Sequence, residues 1–436
     1  MNSVDSCECS KSELDLFTVP PTNISMERGI VTEYIPISSI GDNSPIEFNI
    51  PGGEDYIDLG RTFLYLKVKL YDAKENKVLA AGAKVGPVNL WLHSLFSQVD
   101  VKLNDKLVTN SINTYAYKAY YETLLSYGTD AKDTRLSSEM WYKDSEPFNE
   151  VDPHRTDGEV NSGFAARGKA TGRGKEVEMM GRLHCDIFQQ DRYLLSGVDM
   201  NIKLIRAPEA FHLMAAAGSG FKTIITEASL FVRKVRLNPT ITLEHNTQLS
   251  QGMHVKYPVR RGVVTTFTIP RGNQSINKDG VVLGQLPRRL VVGLVTNKAF
   301  NGDLEVSPFQ FEHFNLNYLS LYVDGDQYPS KPLTPNYDAG LYLRSYMSLF
   351  EGTGMMNADR GHGINRDAYK DGYVLYAFDL TPDMAEGGHV DPIKHGSLRM
   401  DLHFKKALAS TVNVVVYAEY DNVIQIDRAR NIILDF

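Results

Sequence analysis

The sequence predicts an all-β protein, a double jelly roll of two similar eight-stranded β-sandwich domains with a few short helices and long loops. Three observations predict it. Segments that read as strands dominate both halves of the 436 residues. Helical patterns are few and short, which excludes the alternating strands and helices of a parallel α/β sheet. The order of landmarks in the first half also recurs in the second, at an offset near two hundred residues.

In chain order, IEFNI (46–50), TFLYLKVKLYD (62–72), QVDVKLND (98–105), EVEMMGRLHCDIF (176–188), MNIKLIRA (200–207) and ASLFVRKVRL (228–237) mostly alternate apolar and polar residues. Gly, Pro, Asn or Asp bound them, as expected of half-buried strands. In the second half VVTTFTIP, RRLVVGLVTN, LNYLSLYVDGD, YVLYAFDLT, LRMDLHF and TVNVVVYAEY play the same part. Between them, NLWLHSLFSQVDVKLND (89–105) changes period. Leu90, Trp91, Leu95, Phe96 and Val99 share a helical face, then Val99, Val101 and Leu103 alternate as in a strand. Asn104-Asp105 supplies the turn that folds the chain back.

The repeat sets the domain organisation. QVDVKLND precedes an aromatic helix candidate at 113–128, and LNYLSLYVDGD precedes another at 336–352. SGVDMNIKLIRA (196–207) has its counterpart in GSLRMDLHFKKA (396–407). The expected division is a flexible N-terminal arm at 1–30, a first jelly roll at 31–240 and a second at 241–436. The boundary falls near LNPTITLEHNTQLSQGMHV, where Pro239 and a polar run interrupt the strands. The largest insertion spans about 128–176. Its part DGEVNSGFAARGKATGRGKE is Gly-rich and basic, without periodicity, and reads as a long exposed loop. GTGMMNADRGHGINRDAYKDG (352–372) is its glycine-punctuated counterpart.

A net charge of −7 and a pI near 5.9 give no global positive field for nucleic acid. Three cysteines, Cys7, Cys9 and Cys185, are too few for a disulfide scaffold and suit a reducing compartment. Cys7 and Cys9 have no neighbouring His or Cys to complete a zinc site. No run reaches the ~18 apolar residues of a membrane helix, and the N-terminus lacks a secretory pattern. Synthesis inside the cell without secretion is expected, and the glycosylation patterns at Asn23 and Asn273 then carry no weight.

Catalytic patterns are scarce, and no catalytic, cofactor or metal residue is assigned. GKATGRGKE (168–176) fails the phosphate-loop spacing, and Glu176 stands where that loop needs a hydroxyl. Arg155, Arg167, Lys169, Arg173 and Lys175 could touch an anion but read as a solvated face. GTG (352–354) and GHG (361–363) are turns, since neither joins a strand to a helix. Asp383, Glu386, His389, Asp391 and His395 form the most metal-like cluster, yet sit in a Gly/Pro-rich loop. Asp324 and Asp326 belong to a turn, and His93 reads as a packed or surface histidine. Tyr115, Tyr117, Tyr120, Tyr121 and Tyr127, with Tyr337, Tyr342, Tyr346 and Phe350 in the second half, cover more than one helical face. That pattern suits either a core or a protein interface.

VGPVNLWLHSLFSQVDVKLND, YETLLSYG, MWYKD and GRLHCDIFQQDRYLLSGVDMNIKLIRA resemble the major capsid protein of Maverick (Polinton) elements and their adintovirus relatives. SELDLFTVPPT and LYAFDLTPD fit the same family, so the resemblance spans nearly the whole chain. It implies a structural, non-enzymatic capsid protein without a cofactor, whose homotrimers of pseudo-hexagonal outline tile an icosahedral shell with a minor penton protein. Double-stranded DNA would be enclosed rather than specifically bound, and the virion would be the location. The insertions at 128–176 and 351–372 would rise on its outer face. A glycan-binding or glycan-cleaving protein of two jelly rolls is the alternative. It predicts opposed carboxylates or stacked aromatics in a cleft, with a secretion signal and disulfides, and the last two are missing from the sequence.

Overall fold

Eight strands of the first half pair into two antiparallel sheets in a computed structural model that describes residues 11–41, 44–384 and 391–435. They are β1 (Met26–Tyr34), β2 (Ile46–Ile50), β3 (Tyr56–Asp72), β4 (Phe96–Leu103), β5 (Lys106–Leu107), β6 (Val177–Gly181), β7 (Met200–Arg206) and β8 (Phe221–Leu237). One sheet has the order β1-β8-β3-β6, and the other β2-β7-β4-β5. The first strand therefore begins inside the stretch 1–30.

The second half repeats this order eight strands later. It holds β9 (Val255–Ile269), β10 (Ser275–Gln285), β11 (Arg289–Thr296), β12 (Leu316–Val323), β13 (Asp326–Leu333), β14 (Leu375–Asp379), β15 (His395–Phe404) and β16 (Val412–Ile426). Its sheets run β9-β16-β11-β14 and β10-β15-β12-β13, with a short β17 (Ile432–Leu434) added to β16. Each half is thus a jelly roll, and the fold expected from the sequence is the one observed. The matched landmarks are equivalent strands: QVDVKLND is β4 and LNYLSLYV is β12, while MNIKLIR is β7 and HGSLRMDLHF is β15.

Local chemistry explains the strands. In β3, Leu64, Leu66, Val68 and Leu70 are buried while the residues between them are partly exposed, the period of a sheet with one face in the core. Asn104 and Asp105 both take positive φ (43° and 65°) in the two-residue hairpin that pairs Leu103 with Lys106. Asp324 and Gly325 do the same between β12 and β13 (50° and 97°). In β11 the alternation disappears: Arg289 to Val295 are all buried. This part of the sheet is covered on both faces, so β11 and its neighbour β14 read as continuous apolar runs, while β9 at the edge still alternates.

The turn expected within 89–105 is α1 (Trp91–Ser94), wholly buried and entered through Leu90 at φ 53°. Two of the longer helices were not expected. At 239–250 the sequence suggested a polar interruption, but the chain forms α4 (Pro239–Ser250), with Asn238 accepting the Thr240 N–H and Pro239 opening the first turn. The other, α3 (Ser162–Thr171), overturns the exposed-loop reading of 157–176.

Candidate functional site

Both long insertions leave their roll at the equivalent point, between β5 and β6 in the first and between β13 and β14 in the second. Each carries the aromatic helix expected there, α2 (Tyr115–Ser126) and α5 (Leu343–Glu351). The surroundings of α2 choose between core and interface: ten of its twelve residues are buried. Tyr120 lies flat on Phe309 (centroids 4.2 Å apart, planes 6° apart), Tyr117 stacks on Phe300 at 5.5 Å, and Tyr121 packs against Phe311 and Tyr417. All four partners belong to the second roll. The helix is buried on nearly every side because one chain supplies both of its flanks.

The aromatics around α5 also pack inward. Tyr337 stacks on His313 at 4.2 Å and its hydroxyl meets that of Tyr376 at 2.8 Å, while Tyr369 donates to the Ser345 and Leu375 carbonyls. Tyr346 and Phe350 are half-buried at the rim.

The segment 157–176 reads as a loop because of its glycines, and the structure gives those glycines another purpose. A Cβ on Gly163 would lie 2.4 Å from the Lys143 carbonyl oxygen, and one on Gly168 would lie 2.2 Å from the Pro153 ring. They admit close packing inside α3, which Asn161 caps by accepting the Phe164 N–H at 3.1 Å. The sequence signal was Asn161-Ser162 ahead of Phe164, masked by glycine content.

Of the five basic residues placed on a solvated face, Arg167 is the clear exception, at 2% exposure. Its Nη2 donates to Asp144 Oδ1 at 2.6 Å, Nη1 to the Tyr142 carbonyl at 2.7 Å and Nε to the Pro87 carbonyl at 2.9 Å. The planar guanidinium fastens α3 to two other segments at once. Lys169, Arg173 and Lys175 are exposed and Arg155 largely so, bound to Glu150. These side chains do not converge on a common anion.

A second buried cation joins the two insertions. Lys132, 5% exposed, donates to the Leu124 carbonyl at 2.6 Å and to the His362 carbonyl at 2.7 Å. Burial, aided by nearby Lys143, lowers its pKa from 10.5 to about 7. Burial likewise lowers that of His362 from 6.5 to about 4, and Lys132 adds to the effect. Both bases hold their protons less well folded than unfolded, so falling pH favours the unfolded chain. Lys132 withdraws stability as the pH falls from 10.5 toward 7, and His362 as it falls from 6.5 toward 4. Lys132→Met is expected to flatten the dependence between pH 7 and 10, read from urea midpoints of both proteins at each pH. Parallel curves would show that this amine stays charged in the fold.

The other candidates separate. Glu386 and His389 lie outside the described residues, as do Cys7 and Cys9. Asp383, Asp391 and His395 join no metal-sized group among the described residues. Asp324 accepts the Ser397 N–H at 2.8 Å, as a turn residue does. His93 is fully buried, between Tyr115 and Glu139. Cys185 is buried, and desolvation drives its thiol pKa up. No helix among the described residues is long and apolar enough to cross a membrane.

No family profile matches the chain. The uncharacterized protein F54H12.2 of Caenorhabditis elegans is 25% identical over 393 residues, covering 87% of this chain and 90% of that one. Among solved structures, a chain of the Sputnik virophage determined by cryo-EM aligns with a TM-score of 0.64 at 12% identity, covering 100% of this chain and 94% of that chain. The mavirus major capsid protein aligns with a TM-score of 0.56 at 12% identity, covering 100% and 96%. The Faustovirus major capsid protein aligns with a TM-score of 0.51 at 10% identity, covering 94% and 92%. At these identities the likeness is one of fold.

Proposed function

We propose that this chain is a major capsid protein of the Maverick (Polinton) and adintovirus kind, a structural protein without catalytic activity. The observation that carries the proposal is the double jelly roll itself, matched over the whole chain by the mavirus major capsid protein. The motifs that resemble the family are long and ordered, and they support the same reading. Two rolls per chain give a homotrimer six similar lobes, so one gene product fills a near-hexagonal lattice, and a head-to-tail contact closes the ring. Such capsomers, completed by a minor penton protein, would enclose double-stranded DNA in an icosahedral virion. The −7 charge favours enclosure over tight nonspecific binding of the DNA.

Fusion of the two rolls supports the assignment. The α2 helix ties them through stacked aromatics, so the two lobes of a subunit act as one rigid block, as a lattice unit needs. Light scattering across a concentration series tests the reading. Three chains of 48.9 kDa give about 147 kDa, and a stable species of that mass is expected. A protein that remains monomeric at every concentration, with the penton partner present or absent, would overturn the trimer.

A further inference from the structure

The first roll buries a cluster of metal-ligating side chains that the capsid reading does not use. His93 stands on α1, Tyr115 and Glu122 on α2, Glu139 at the end of a single 3-10 turn (Arg135–Glu139), and His184 just beyond β6. One donor atom from each of His93, Glu139 and His184 lies within 4.8 Å of the other two, and all three residues are buried. We infer that His93, His184 and Glu139 form a binding site for a divalent transition-metal ion, with zinc as the ion this donor set suits.

Four features of the cluster support the assignment. Each imidazole is gripped at Nδ1 by a neighbour: His184 Nδ1 lies 2.7 Å from Glu122 Oε2, and His93 Nδ1 lies 2.9 Å from the Tyr115 hydroxyl. Carboxylate or hydroxyl partners of this sort fix the orientation of metal-binding histidines and leave Nε2 for the ion. His184 Nε2 meets the Thr123 hydroxyl at 3.3 Å, and an ion there requires the His184 proton to sit on Nδ1, facing Glu122. His93 Nε2 lies 3.2 Å from Glu139 Oε2, and an ion between them requires the His93 proton to sit on Nδ1, facing Tyr115.

Charge and space agree with a cation. The carboxylates of Glu122 and Asp186 share one buried ammonium, Lys118, while Glu139 has His93 beside it and Arg135 nearby. Gly181 makes room for the ligand carboxylate: a Cβ there would lie 2.7 Å from Glu139 Cδ. A cavity of about 30 Å³ borders His184, Tyr115, Lys118 and Cys185 on one side of the cluster, enough for one water beside His184. Zinc at about 2.0–2.1 Å from each ligand sets the donors roughly 3.4 Å apart, close to the 3.2 Å already between His93 Nε2 and Glu139 Oε2. It would then staple the entry to β4, the insertion after β5 and the segment after β6.

The site is internal to one roll, so its test is separate from that of assembly. Protein produced with added zinc chloride is dialysed against a weak chelator, and bound zinc per chain is measured by mass spectrometry. Cobalt(II) replaces zinc in a second preparation, whose visible spectrum reports a four-coordinate site. About one ion per chain is expected. Tyr115→Phe, which loosens His93 without removing a ligand, should weaken retention by about 10- to 100-fold. Glu139→Gln should weaken it at least as much, and His254→Ala, at an exposed histidine, should leave it unchanged. Wild-type protein that holds no zinc and gives no four-coordinate cobalt spectrum overturns the site, whatever the variants do. Retention equal in wild type, Tyr115→Phe and Glu139→Gln also overturns it, by placing the ion elsewhere.

Discussion

Arg167→Met is expected to lower the stability of the protein by about 3–5 kcal/mol, the usual result of removing one partner of a buried ion pair. The variant keeps much of the side-chain volume but leaves the Asp144 carboxylate, 3% exposed, without its cation. The Pro87 and Tyr142 carbonyls lose their donor as well. Urea unfolding followed by tryptophan fluorescence measures the loss, since Trp141 stands three residues from Asp144 and the chain has only one other tryptophan, Trp91. The double variant Arg167→Met with Asp144→Asn should recover part of it, because the unpaired charge is gone. A loss below about 1 kcal/mol would mean that water reaches Asp144 and that α3 is not a fixed part of the roll.

Tyr120→Ala is expected to cost a similar amount, about 3–5 kcal/mol, through a cavity at the seam between the rolls. The ring is fully buried, stacked on Phe309 and 5.4 Å from Trp141. Limited proteolysis should also cut the variant faster within 237–255, where the rolls are joined. Tyr120→Phe keeps the stack and should retain most of the stability. If Tyr120→Ala proves no less stable than wild type, the seam is not a shared core and the two rolls fold as separate units.

The strands were readable because each roll buries one face of most of its sheets, and that burial writes a two-residue period into segments such as TFLYLKVKLYD and QVDVKLND. The repeat was readable because equivalent turns need equivalent residues, as at Asn104-Asp105 and Asp324-Gly325. α3 was hidden because Gly163 and Gly168 look like loop punctuation until the Lys143 carbonyl and the Pro153 ring are seen against them. α4 was hidden for the opposite reason. It buries little besides Leu249, so it carries no apolar face, and only Asn238-Pro239 marked its start.

Composition and periodicity by themselves determined two β units in tandem, the strand order along the chain and the place of the two aromatic helices. Tertiary structure alone decided what those helices touch. Tyr117, Tyr120 and Tyr121 meet Phe300, Phe309, Phe311 and Tyr417 across the chain, and His93, Glu139 and His184 converge from three connections. A period reports whether a side chain is buried, because burial selects for apolar character at fixed spacing. It does not report the partner, since residues far apart in sequence meet only once the rolls have packed.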